Sequence, residues 1–285
     1  MPNSSRGRRL VSEQLSLLPR EDDSPRHPGV SRRARRKLPT DRTILGALLK
    51  RVAIWCLKLA GSFVLVTVGL VLLYRFIDPP LTPLMLIRPI EAVAAGRVTA
   101  IDKEWTDIDD VSPALLRSVI AAEDARFFTH SGVDWKAVED ARKYNERTKT
   151  TIRGASTITM QCARNVFLWQ GRNYLRKGLE AYFTYLMETF WSKKRILEVY
   201  VNVIEWGDRI YGIGAASEHY FGVPASKLTA RQAALLASVL PNPRRYNAGS
   251  PDGYISRRSA RIQAEAPIVS LAPLALGTAA VKKKD

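Results

Sequence analysis

Residues 52–74 read VAIWCLKLAGSFVLVTVGLVLLY, an uninterrupted apolar run with a single charge, Lys58. As a helix it spans roughly 35 Å at about 1.5 Å per residue, sufficient for a hydrocarbon core of about 30 Å. Two homes suit such a segment: the middle of a protein core or a bilayer. Its flanks decide for the bilayer. A basic cluster, Arg32, Arg33, Arg35, Arg36 and Lys37, precedes it, and Asp78, Pro79 and Pro80 close it. Lys58 lies near the start, where it can snorkel to the nearer interface. The run begins too far from the N-terminus for an ordinary signal peptide, and no small-residue cleavage site follows. By the positive-inside rule the N-terminus is cytoplasmic and the rest of the chain is outside. The expectation is a single-pass signal anchor.

Charge adds little by itself. The formal net charge is +17, from 44 basic and 27 acidic side chains. Nucleic acid, anionic lipid head groups and phosphorylated substrates all suit that balance. Residues 1–51 are basic, with Ser and Pro but no helical or strand period, and are expected to be a disordered cytoplasmic tail. The expected order continues with the anchor over 52–76, a proline-rich connector over 77–90 and a folded domain over 91–262. Residues 263–285 form a tail with no assignable role. Cys56 lies in the apolar run and Cys162 in the polar body, so a disulfide framework is not expected. His27, His130 and His219 are widely spaced and show no metal-ligand pattern.

From about 91 to 262 apolar residues recur at three and four, connections are short and strand-like alternation is scarce, so the domain is expected to be all-α. Ser112-Pro113 reads as a helix start, and Thr229 with Gln232 has capping-box spacing for a helix that stops before Pro241. Residues 141–153 are polar and basic with no apolar stripe and are expected to be a mobile loop.

Four places offer chemistry. Leu115, Leu116, Val119 and Ile120 make an apolar helix face whose continuation lands on Glu123 and Asp124. A carboxylate continuing such a stripe is either a proton-transfer group raised in pKa by its setting, or a surface partner of Arg126. His130 follows within FFTHSG and either orients that carboxylate or caps structure. Ser156 and Thr157 open a helix that carries Gln161, and free N–H groups at such a start suit an anion. Arg164, Arg172, Arg176 and Lys177 downstream either complete a diphosphate cradle or form a solvated basic face. Glu180 adjoins the stripe of Leu179, Phe183 and Met187 and is a second candidate carboxylate.

Taken together these segments resemble the glycosyltransferase domain shared by monofunctional peptidoglycan transglycosylases and class A penicillin-binding proteins. The matching stretches are Glu123–Gly132 (with Phe127 and His130), Gly154–Gln161, Arg176–Glu180, Lys193–Asn202 and Tyr211–Gly222. No transpeptidase domain follows, so the likeness is to the monofunctional branch. The resemblance implies a mainly α, lysozyme-like, two-lobed domain with an apolar patch toward the lipid of a bacterial inner membrane. It implies Glu123 as the base that takes the proton of an acceptor 4-hydroxyl, and Glu180 as the second carboxylate. Asp124, Phe127, His130, Ser156, Thr157, Gln161, Arg164, Arg172, Arg176 and Lys177 are its implied substrate-binding residues. The implied partners are lipid II, the growing lipid-linked glycan, membrane lipid and other wall-synthesis proteins such as transpeptidases. No nucleic acid is expected, because the folded part lies outside. No dedicated metal site stands in the motifs, and a divalent cation, Mg2+ or Mn2+, is the one cofactor left open. The second motif departs from the family in carrying Met160 where a glutamine is common. Two rivals stand beside this reading: a lysozyme-like lytic enzyme using Glu123 as a general acid, and an inert membrane-anchored scaffold.

Overall fold

The computed structural model describes residues 41–96, 100–148, 154–171 and 173–275, and the chain divides into two compact units, 1–59 and 60–285. The described part of the first unit is helical. It belongs to α1, Asp41–Tyr74, which continues into the second unit. The stretch Leu48–Tyr74 is long and apolar enough to cross a membrane, and only 11% of its most apolar window is buried. A core helix of a soluble protein is covered on most sides. This one presents Leu57, Leu59, Leu65 and Val66 outward, so the buried-core alternative does not describe it.

The second unit is built from helices. After α1 come α2 (Pro83–Ala94), α3 (Pro113–Glu123), α4 (Trp135–Arg147), α5 (Ile158–Phe167) and α6 (Tyr174–Phe190). They are followed by α7 (Lys193–Val203), α8 (Ile213–Phe221), α9 (Ala230–Val239) and α10 (Gly253–Glu265). Helix α9 packs against α3 and α10, while α5 packs against α6 and α7. One continuous core joins the two groups, with Leu115, Ile120, Ile158, Met187, Leu197 and Leu236 among its members. The apolar face of α3 read from the sequence is this core face. The only strands among the described residues are short: β1 (Asp102–Lys103), β2 (Glu205–Gly207) and β3 (Ile210–Tyr211). They form one small sheet in the order β1-β3-β2, with β1 parallel and β2 antiparallel to β3.

Local chemistry explains the helix boundaries. Pro113 opens α3 as expected, but the Ser112 hydroxyl does not cap it; it donates to Leu228 O at 2.8 Å and ties the helix start to the α8–α9 connection. The Thr229–Gln232 capping box forms, and α9 ends at Val239, two residues before Pro241.

Three sequence expectations need correction. The loop expected at 141–153 is helical as far as Arg147, and residues 149–153 lie outside the described residues. An Asp134 cap on Ala137 N–H and the exposed Glu139–Arg142–Glu146 pairs support α4 without a broad apolar face. The connector contains a helix: Thr82 caps α2, Pro83 takes its first turn, and Leu84 and Met85 are buried. Beyond residue 262, α10 runs on to Glu265 and two short turns follow that bury Leu271 and Leu274, so packed structure reaches well into the expected tail. Residues 276–285 and 1–40 lie outside the described residues.

The end of α1 is packed against the helical body. Trp191 Nε1 donates to Val71 O at 2.7 Å, and Thr67 Oγ1 meets the Tyr182 hydroxyl at 2.7 Å. Arg195 then caps the helix: its guanidinium donates to Tyr74 O and Ile77 O and pairs with Asp78 and Glu198. Tyr74 O is one of the carbonyls a helix C-terminus leaves unpaired, and Ile77 O lies three residues beyond the helix.

Candidate active site

Helix α3 ends at Glu123, and the chain turns sharply at Asp124 toward the start of α5. The Asp124 carboxylate accepts the Ile158 N–H at 3.0 Å and His130 Nε2 at 2.9 and 3.0 Å. The Gly132 N–H donates to His130 Nδ1 at 3.2 Å, which leaves the proton of a neutral ring on Nε2, facing Asp124. Thr157 caps α5 through Met160 N–H and donates its hydroxyl to Gly132 O at 2.5 Å. Gly132 itself has φ +92°, and a Cβ there would stand 2.6 Å from Thr184 Cγ2. Lys193 completes the knot: its ammonium donates to His130 O, pairs with Glu188 and stands 4.6 Å from the Phe127 ring centroid. The Glu123–Gly132 and Gly154–Gln161 stretches thus become one rigid corner. Within it Asp124, Phe127, His130 and Thr157 hold backbone in place.

Glu123 projects from that corner into a cavity of about 870 Å3, lined by Ser156, Gln161, Tyr254 and Arg258 among others. Only 14% of its side chain is exposed. Gln161 Nε2 donates to one carboxylate oxygen at 2.9 Å, and Arg258 Nη2 reaches the other at 3.3 Å. The Gln161 amide is itself oriented by the buried Tyr200 hydroxyl, which donates to its Oε1 at 3.1 Å. Burial pushes the Glu123 carboxyl above the ordinary carboxylate range, against the pull of the Gln161 bond, Arg258 and Arg164; nearby Asp124 adds to the rise. A carboxylate held this way is a proton acceptor with one fixed direction of approach.

Arg164 lies one turn along α5 and lines a neighbouring cavity of about 200 Å3 that shares Gln161 with the first. Its guanidinium makes no hydrogen bond or ion pair among the described residues, so a cation stands open beside the carboxylate. Glu180 is placed differently from Glu123. It is 1% exposed, paired with Arg176 at 2.8 Å and Lys177 at 2.6 Å, and lines neither cavity. Arg172 lies outside the described residues. Met160 is buried and faces the core, while the adjacent Gln161 faces the carboxylate.

Asp124, His130 and Asp134 bring potential metal-ligand atoms within 4.8 Å of one another. The set does not fit a cation well. Asp134 is chelated by Arg126 at 2.7 and 2.8 Å and caps α4, while Asp124 is committed to His130 and Ile158. The Asp134 carboxyl is held below its usual range: burial works to raise it, and the Ala137 N–H and Arg126 outweigh that.

Sequence reading missed Arg258 and Tyr254. Helix α10 shows basic residues at 257, 258 and 261, but nothing local indicates which of them turns inward to meet a carboxylate 135 residues away.

Comparison with known proteins agrees with this geometry. Residues 91–266 match the family model described as Transglycosylase. The chain is 49% identical over 208 residues to a biosynthetic peptidoglycan transglycosylase of Bdellovibrio bacteriovorus, covering 73% of this chain and 83% of that one. It is 51% identical over 211 residues to the protein of that name from Caulobacter vibrioides, covering 74% and 87%. For Rhodospirillum centenum the identity is 48% over 227 residues, covering 80% and 94%. With its matched domain folded around Glu123, this chain belongs to the transglycosylase family, alongside the biosynthetic peptidoglycan transglycosylases.

Proposed function

We propose that this protein is a peptidoglycan glycosyltransferase of cell-wall synthesis that polymerises lipid II into β-1,4-linked glycan strands. The observation that carries the reading is Glu123: a mostly buried carboxylate, raised in pKa, aimed by Gln161 and Arg258 into a large cavity and flanked by the open cation Arg164.

In this reading Glu123 takes the proton of the acceptor sugar's 4-hydroxyl as that oxygen attacks C1 of the donor. The C1–O bond to the lipid diphosphate breaks with inversion, and undecaprenyl diphosphate leaves with the bonding electrons. A diphosphate needs positive charge more than a proton, and Arg164 supplies it from the adjoining cavity. Ser156 and the start of α5 line the approach. Glu180 acts at one remove, fixing the heads of Arg176 and Lys177 through its two ion pairs. Leu48–Tyr74 anchors the enzyme in the inner membrane, with the N-terminus cytoplasmic and the helical domain periplasmic, where a lipid substrate is met at the bilayer surface. The strands made would be crosslinked by separate transpeptidases, which are natural partners.

The test is to feed labelled lipid II to the detergent-purified protein and to Glu123→Gln and follow product by gel. The wild type should make lysozyme-sensitive polymer. The variant keeps the shape and loses the base, so its rate should fall by about a hundredfold or more. Equal polymer from both proteins would remove Glu123 from the role of base.

A further inference from the structure

The cavity around Glu123 leads onto a row of aromatic rings. Tyr254, 45% exposed, stands at its edge and stacks on Tyr246 with ring centroids 5.4 Å apart and planes at 30°. Tyr246 in turn lines a second cleft of about 690 Å3, together with Tyr220, His219, Arg244 and Arg245. On its α8 side the neighbouring rings of His219 and Tyr220 meet edge-on at 4.8 Å. The segment carrying Tyr246 is a built loop. Tyr246 N–H donates to Asn242 O at 3.1 Å, and Asn247 Oδ1 accepts the N–H groups of Gly249 and Ser250 at 2.8 and 3.0 Å. Arg244 pairs with Asp208 at 3.3 Å, which ties the loop to the β2–β3 turn. Gly249 lies so close to the Tyr220 ring that an added Cβ would stand 3.4 Å from it, so the loop rests on that ring. The guanidinium of Arg245 sits 5.5 Å from the Tyr246 centroid.

Ring faces with hydroxyl tips, interleaved with guanidinium groups, match one class of ligand closely. A pyranose offers an apolar C–H face to a ring and a rim of hydroxyls to polar tips. A carboxylate carried on such a strand finds Arg245 beside the rings, while Arg244 stays paired with Asp208. A flat apolar partner would leave those charges unmatched.

Resting on the polymerase reading above, we infer that Tyr254, Tyr246, Tyr220 and His219 form a second saccharide subsite. It holds a carboxylate-bearing glycan strand a few sugars away from the reacting centre. A strand held there stays on the enzyme between couplings, so this subsite sets product length while Glu123 sets the chemistry.

The experiment compares wild type, Tyr246→Ala and Tyr246→Phe in detergent, with two readouts. The first is calorimetric titration with lipid-free, peptide-bearing glycan oligomers from digested peptidoglycan. Tyr246→Ala should bind about fivefold more weakly, the effect of losing one ring face, and Tyr246→Phe should bind like wild type. The second is product length from lipid II: Tyr246→Ala should give shorter strands at an unchanged rate of first coupling. Equal oligomer binding by wild type and Tyr246→Ala overturns the subsite, and so does oligomer binding in which Tyr246→Phe is as weak as Tyr246→Ala. Failure of wild type to polymerise would sink the polymerase reading instead, and the titration would still decide the subsite. If Tyr246→Ala loses its helical circular dichroism, His219→Ala, exposed at the far end of the row, carries the same two readouts.

Discussion

A general base works when its pKa sits near the pH at which it operates, and a glutamate reaches that range only if something disfavours its charge. Burial does so for Glu123, while Arg258 and Arg164 limit the effect. The sign of a change follows directly. Removing Arg258 withdraws a stabiliser of the carboxylate, so the pKa rises and the base is protonated at a higher pH. The acid limb of kcat/KM for Arg258→Gln should therefore move upward, with the alkaline limb unmoved. A pH–rate profile on lipid II checks this, and a limb that stays put or moves downward would show that Arg258 does not act on Glu123. The same reasoning separates Glu123 from Glu180. Glu180 is instead spent on two cations within 2.8 Å, Arg176 and Lys177, and holds them in place.

Among the elements, α1 has two kinds of surface. Its outer side matches lipid, and its last turns face Tyr182, Phe167 and Trp191. The Trp191 indole fills a buried site and spends its one donor on Val71 O. Trp191→Phe keeps an aromatic ring and removes the indole donor, leaving that carbonyl with the Arg75 N–H alone. The expected loss is about 1 kcal/mol, seen as a thermal midpoint lower by about 2–4 °C in detergent. An unchanged midpoint would mean that this bond adds nothing to the junction. Arg195 makes the attachment firmer still, because one guanidinium holds both the final carbonyls of the helix and Asp78 beyond it. The domain therefore begins inside the apolar helix, at the turns that carry Phe63, Thr67 and Val71.

At the scale of the whole molecule, the proposed direction of insertion rests on the basic flank before α1 and the proline-closed flank after it. Alkaline phosphatase fused after the last residue should be active in a Gram-negative host, and a green fluorescent protein at the same place should be dark. The opposite pair of results would invert the topology and leave the domain without access to substrate on the outer face.

What was legible in the chain was whatever depends on neighbours in sequence. The apolar run, the start of α3 at Pro113, the capping box at Thr229 and the buried face ending in Glu123 all rest on spacings of seven residues or fewer, or on a composition shift. The family motifs were legible for the same reason, since each is a short contiguous stretch. The tertiary structure decided which of those motif residues line the cavity and which hold the corner. Asp124 and His130, expected from the sequence to bind substrate, are bonded to Ile158, Gly132 and each other, and Asp124 also lines the cavity. It also decided the partner of Glu123. The Arg258 guanidinium reaches Glu123 only because α10 packs on α3 and α9, an encounter that no local pattern encodes. The aromatic row has the same origin: Tyr220, Tyr246 and Tyr254 are scattered singly along the chain, and folding alone lines them up. Short-range order is written in residue type and period, whereas a site is made of side chains whose distance in space is set by how the helices pack.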